Sequence, residues 1–297
     1  MLIDRRLPLS YIFSKIQLDL FYVVALAVLM EVIAHYAKGL LPTVPVALAA
    51  FLGTAISLIL SFKLGQSYQR WWEARKIWGA IVNESRTLTR QLLTFCGDDG
   101  RKLVDRVAHR QIAWCYCLGQ SLRGQDWQKG TEGHLREEDL EEAEGHDNRP
   151  LLFLQQHARD VTALATDGLL TDYQRVSVDD TLTRLTDAMG KAERIKSTVF
   201  PTAYRLYLHY FIYIFIFALI LALAELKGPR EVAIVTIISL PFFLLEKTAT
   251  YLQDPFSGEP TDTAVTAIAR VIEINVLQLL GDEDVPEKID SDDFYVM

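Results

Sequence analysis

The sequence predicts an all-α membrane protein in which four transmembrane helices continue into a helical cytosolic domain. Three observations lead there. Four long stretches without charge arrive in two pairs, each pair joined by a short connector. Residues 63–200 hold a single proline, Pro150, and repeat their apolar side chains at helical spacing. A mean hydropathy of +0.14 stands beside a net charge of −8, so apolar and acidic residues are segregated along the chain.

From Leu20 to Phe62 only Glu31 and Lys38 are charged. Leu20–Met30 is an unbroken apolar run, extended past Glu31 by Val32, Ile33 and Ala34. After the break at Lys38-Gly39 comes Val44–Phe62, without charge and close to the roughly 20 residues a membrane helix needs. A third stretch, Leu206–Ala224, contains the run YFIYIFIFALILALA. A fourth, Val232–Leu245, carries Pro241, which a membrane helix tolerates. The segment Leu2–Lys15 lacks the compact apolar core and small-residue cleavage site of a signal peptide. Basic residues set the orientation. Arg5, Arg6 and Lys15 precede the first span, and Lys63, Arg70, Arg75, Lys76, Arg86 and Arg90 follow the second. The connectors hold only Lys38, then Lys227 and Arg230. The expectation is an inner-membrane protein with both termini and the middle segment in the cytoplasm.

The predicted organisation is 1–62 for the N-terminal segment and two spans, 63–200 for a cytosolic helical region, 201–250 for two further spans, and 251–297 for a cytosolic C-terminal segment. Helical periodicity marks Trp71–Leu93, Leu103–Leu122, Leu151–Leu164 and Val176–Ile195. Between them, Gly124–Asn148 packs nine acidic residues around glycines and reads as a solvated acidic loop, as does the tail after Gly281.

Several functions are excluded. The acidic balance argues against nucleic acid. Three cysteines, Cys96, Cys115 and Cys117, make no disulfide framework. The six histidines include no His-x-x-x-His pair, and no Walker loop, nucleophile elbow or dinucleotide fingerprint occurs. No catalytic constellation, metal site or cofactor is expected, and the chain is not read as an enzyme. Glu31 and His35 share one face of the first span, where ionisable groups are functional suspects. An inter-helix hydrogen bond or snorkelling near the outer end accounts for them equally well.

One stretch stands apart: Ser61-Phe-Lys-Leu-Gly-Gln-Ser-Tyr-Gln-Arg-Trp-Trp-Glu-Ala-Arg-Lys-Ile-Trp-Gly-Ala-Ile-Val-Asn-Glu-Ser-Arg86. Physically it is a helix leaving the membrane, with Trp71, Trp72 and Trp78 suited to an interface and Arg70, Glu73, Arg75 and Lys76 able to pair across turns. A second block, Asp254-Pro255-Phe256-Ser-Gly-Glu-Pro-Thr-Asp262, precedes Ile268-Ala-Arg-Val-Ile-Glu-Ile-Asn275, and a third is Pro201-Thr-Ala-Tyr204. These blocks closely resemble the signatures of the bestrophin family of ion channels, in its bacterial branch, over about residues 1–280.

The resemblance implies a homopentamer among membrane lipids, with five copies of the second span lining one pore for monovalent ions. The family's neck positions fall on Thr54, Leu58 and Phe62, which stack on one helix face. Five Leu58 and five Phe62 would form apolar rings, and such constrictions gate by dewetting. On the residues alone, these side chains fit a lipid-facing or packed role as well. Thr54 is smaller and more polar than the residue expected there. The family's second constriction maps near Tyr173, or Gln174 or Val176 with one gap. The calcium clasp of animal members has only Glu259 and Asp262 to work with here, too few oxygens for a hard cation; both read as acids at a helix N-terminus. Net charge favours a cation-permeable channel, with an anion (chloride) channel as the alternative. A secondary transporter and a non-conducting scaffold are the remaining readings.

Overall fold

A computed structural model describes residues 8–36, 41–198, 201–226, 228–291 and 294–296. Arg5, Arg6, Lys38 and Lys227, which bear on the orientation, lie outside the described residues. The fold is all-α, with α1 Leu9–Tyr36, α2 Val46–Cys96, α3 Arg101–Arg123, α4 Glu137–Glu144, α5 Arg149–Thr166, α6 Asp172–Ser197, α7 Thr202–Leu223, α8 Pro229–Gln253 and α9 Val265–Leu280. Four of these, α1, α2, α7 and α8, are long and apolar enough to cross a membrane. The chain divides into two compact units, and the division falls inside α2, between Trp71 and Trp72.

The membrane unit holds residues 4–71 and 199–254. Its core is a seam of Ile16, Val23 and Ala27 from α1, Ala49, Ile56 and Leu60 from α2, Leu208, Ile212 and Ile216 from α7, and Val235 and Phe243 from α8. Gly53 lets α2 approach α7 closely: a Cβ there would lie 3.0 Å from the Phe215 ring, the small-residue packing that membrane helices favour. Phe215 in turn packs on Phe242 of α8, ring centroids 4.8 Å apart. Glu31 accepts the Gly228 N–H at 3.0 Å, so the inter-helix hydrogen bond is the role it takes. His35 is exposed and touches Tyr36 edge to face.

The other unit holds residues 72–198 and 255–297 among its parts. At its centre runs α3, buried almost continuously from Arg110 to Gln120, with α5, α6 and α9 around it. Burial of so polar a helix requires internal partners. Arg110, only 2% exposed, donates to Asp139 at 2.8 Å and to Asp160 at 2.7 Å, and Arg106 also pairs with Asp160. Gln111 donates to Ser85 at 2.9 Å and shares a 3.2 Å hydrogen bond with the buried His157. Trp114 donates to the Pro150 carbonyl at 3.0 Å.

Part of the acidic segment Gly124–Asn148 departs from the expected solvated loop. It contains α4, whose first turn carries Glu137, Glu138 and Asp139, acids that favour a helix N-terminus. Asp139 is buried against Arg110 and Ala143 is fully buried. Glu142 accepts from Gln156 and Arg159 at 2.8 Å each. The charge run is therefore partly a packing element, because α3 and α5 present cations to it.

Candidate functional site

The expected neck residues stand together on one face of α2. Buried positions of this helix in the membrane unit recur as Ala49, Gly53, Ile56, Leu60, Lys63 and Ser67, the helical repeat of a packed seam. The opposite stripe runs through Phe51, Thr54, Leu58 and Phe62, all exposed, and among the described residues nothing covers it. Leu58 is 59% and Phe62 64% exposed. The Thr54 hydroxyl bonds back to the Ala50 carbonyl at 2.8 Å, which satisfies its donor within the helix and lowers the polarity it presents. Tyr173 stands in the first turn of α6, 91% exposed, next to a capping box in which Thr171 and Gln174 bond reciprocally. Val176, one turn on, is also exposed, whereas Gln174 is engaged in the cap.

The signature residues split by role. Trp78 is fully buried, and a Cβ on Gly119 would meet it and Val265, so the glycine makes room for the indole. Phe256 is fully buried in the same core, and the Pro255 carbonyl accepts the Thr263 N–H at 3.1 Å. Glu73 pairs with Lys76 at 2.7 Å on an exposed surface. Arg70, Trp71 and Arg75 are half-buried, Trp72 is exposed, and Asp254 ends α8. Arg86, the last signature residue, donates twice to Asn275 of the second block, at 2.8 and 2.6 Å. These blocks are thus held together by core packing and hydrogen bonding.

The second block also corrects one expectation. Asp262 does not cap a helix: it is fully buried and folds back on its own turn, accepting from Gly258 N at 2.6 Å, Glu259 N at 3.2 Å and Ser257 Oγ at 3.3 Å. Its carboxylate shapes the loop because three donors converge on it before α9 begins at Val265. Among the described residues, no group of three or more His, Cys, Asp or Glu is arranged to hold a metal ion.

Two polar clusters were not read from the sequence. In the membrane unit, the Asp19 carboxylate receives Lys247 at 3.1 Å and the Tyr213 hydroxyl at 3.2 Å, while His209 lies between Asp19 and Glu246, 3.7 and 3.1 Å away. The available signal was positional: Asp19, Lys63, His209 and Glu246 fall at matching ends of four antiparallel apolar stretches. In the other unit, His109 and His134 share a 3.1 Å contact between their Nδ1 atoms, and His134 reaches Glu273 at 3.2 Å. Glu273 also accepts the Tyr116 hydroxyl at 2.6 Å. Burial, then the neighbouring His134, holds His109 below its ordinary value. Burial raises the Glu273 carboxyl, but its bonds to His134 and Tyr116 outweigh that and leave it lowered. Burial pushes the Cys115 and Cys117 thiols up to about 12 each, so neither is a ready nucleophile.

The family model described as bacterial/fungal bestrophin protein matches residues 6–278. The chain belongs to the bestrophin family. This bestrophin is 32% identical over 292 residues to the voltage-dependent anion channel-forming protein YneE of Escherichia coli K12, covering 97% of this chain and 92% of that one. A second relative, the voltage-dependent anion channel-forming protein mll4386 of Mesorhizobium japonicum, is 30% identical, with 82% of this chain and 77% of that one covered. Among solved structures, a crystal structure of a bacterial bestrophin homologue from Klebsiella pneumoniae superposes with a TM-score of 0.85 at 27% identity, covering 90% of this chain and 99% of that chain. Family and relatives indicate an ion channel, not an enzyme.

Proposed function

We propose that this bestrophin is one subunit of a homopentameric channel of the bacterial inner membrane, with both termini in the cytoplasm, that passes small monovalent anions such as chloride. The observation that carries this reading is the uncovered stripe of α2. Thr54, Leu58 and Phe62 follow one another along a face that is exposed and without a partner among the described residues, while the opposite face is packed into the bundle. Five such faces turned toward a common axis give stacked apolar rings, and the family resemblance implies that fivefold arrangement. An apolar constriction conducts only when wetted, so the side chains at the two rings set the barrier to every ion. Tyr173 is proposed for the second constriction because it is the large exposed side chain at the start of α6.

The choice of anion reverses the preference drawn from net charge. The relatives carry anion-channel names, which favours the anion reading. The total charge of −8 includes acids that have no bearing on a pore: Asp139 and Asp262 are buried, and Glu142 is paired. The cation reading keeps one support, the net charge itself, and selectivity measurements decide between them. The neck is tested by single-channel recording of Leu58→Ala and Phe62→Ala: either should raise conductance or open probability, and unaltered currents in both would remove these residues from the pore.

A further inference from the structure

An open concavity of about 700 Å³ in the membrane unit lies between α7 and α8, at the end where Asp19 and Lys63 also sit. Its walls carry the cations Arg205 and Lys247, His209, and one carboxylate, Glu246, beside Thr250 and Tyr251. The carboxylates of the surrounding cluster already have cationic or proton-sharing partners. Asp19 is held by Lys247 and Tyr213, and Glu246 by His209.

Two cations are left over. Lys63 is fully buried, and its ammonium, with three protons to donate, hydrogen-bonds to the hydroxyl of Thr250 at 3.2 Å, while Glu246 attracts it from beyond ion-pair distance. Among the described residues no carboxylate comes within ion-pair distance of it. A buried ammonium with one neutral acceptor is an expensive arrangement unless an anion completes it. Arg205 is exposed at the pocket and has no ion pair among the described residues. Nearby, the Lys15 ammonium lies 4.6 Å from the centroid of the ring of the pocket residue Tyr251. Beside the pocket, exposed Leu206, Tyr207, Tyr210 and Leu245 offer an apolar surface continuous with the span.

Surplus positive charge at a span end, next to exposed apolar side chains, matches the chemistry of one ligand class. We propose that this pocket binds the phosphate of an anionic phospholipid, with Arg205 and Thr250 on its wall facing the headgroup, the Lys63 ammonium adding its charge from behind Thr250, and the acyl chains lying along α7. Lipid and free phosphate share the headgroup chemistry, and the apolar surface favours the lipid. The inference rests on this chain spanning a membrane and not on its ion selectivity, so currents are recorded separately and a failure of either leaves the other standing.

The test uses the detergent-solubilised full-length protein, titrated with soluble short-chain phosphatidylglycerol, phosphatidylcholine or inorganic phosphate, with bound lipid counted by native mass spectrometry and stabilisation read from thermal melts. Phosphatidylglycerol should bind saturably and stabilise. Arg205→Ala, an exposed position whose loss does not threaten folding, should weaken binding about fivefold, the effect of one basic side chain at a membrane surface. Arg159→Ala, on the surface of the other unit, should leave it unchanged. Equal binding of phosphatidylcholine, equal stabilisation by inorganic phosphate alone, or undiminished phosphatidylglycerol binding by Arg205→Ala would each overturn the proposal.

Discussion

Replacing Arg110 with Met tests how a helix as polar as α3 can sit in the middle of a core. Arg110 is 2% exposed and ties Asp139 of α4 to Asp160 of α5, at 2.8 and 2.7 Å. Methionine fills much of the same volume but removes the charge, leaving buried Asp139 without its cation and Asp160 with Arg106 alone. Breaking a buried pair by deleting one partner costs about 3–5 kcal/mol, because the remaining charge is stranded. Arg106 still holds Asp160, so the lower end, about 3 kcal/mol, is the expected loss. At roughly 2–4 °C per kcal/mol for a domain of this size, the thermal midpoint of the purified protein should fall by about 6–12 °C. The control is the triple variant Arg110→Met, Asp139→Asn, Asp160→Asn, which removes the stranded charges and should recover a good part of that loss. The reasoning is refuted if the single variant melts with wild type, or if the triple variant is less stable than the single one.

Other outcomes are equally specific. Burial, with Arg110 and Arg106 nearby, holds His157 well below its usual value, and His109 is lowered too. A histidine buried neutral takes up protons on unfolding, so its contribution is complete above the unfolded value of about 6.5 and is lost as pH falls below it. Melting midpoints should therefore drop between pH 7 and 5, and His157→Gln should flatten that dependence; an unchanged slope would show that His157 does not cause it. Arg86→Ala should destabilise by about 1–3 kcal/mol through the two hydrogen bonds lost to Asn275, and chemical denaturation equal to wild type would contradict that. Gly119→Val should lose about 1–3 kcal/mol by overpacking against Val265, whose Cγ2 lies 3.2 Å from an added Cβ. A melt within one degree of wild type would mean that the two helices part without strain.

What the sequence made legible was periodic. The apolar stretches identified α1, the first part of α2, α7 and α8, because a span must be apolar along its whole length. The helices α3, α5 and α6 were visible because apolar residues returned every three or four positions. The family was legible in one Trp-rich word, and Trp78 and Phe256 show the physical reason: both are large, fully buried and seated against a glycine or a tight turn. Helix α4 was missed because its composition is that of a solvated loop, and only Arg110 and Arg159, distant in sequence, convert its acids into contacts. The Asp19–His209–Glu246–Lys247 cluster was missed for the same reason, as its members meet only when three helices assemble. For Thr54, Leu58 and Phe62, neither pattern nor propensity distinguishes a pore face from a lipid face. What the structure adds is that this stripe is exposed, with no partner among the described residues.

The central claim concerns which ions cross that stripe. The most direct measurement is the reversal potential of the purified protein in a planar bilayer under a steep potassium chloride gradient. The account predicts a discrete current that reverses near the chloride equilibrium potential. Reversal near the potassium potential would contradict the anion reading, and a membrane that stays silent would contradict the channel itself.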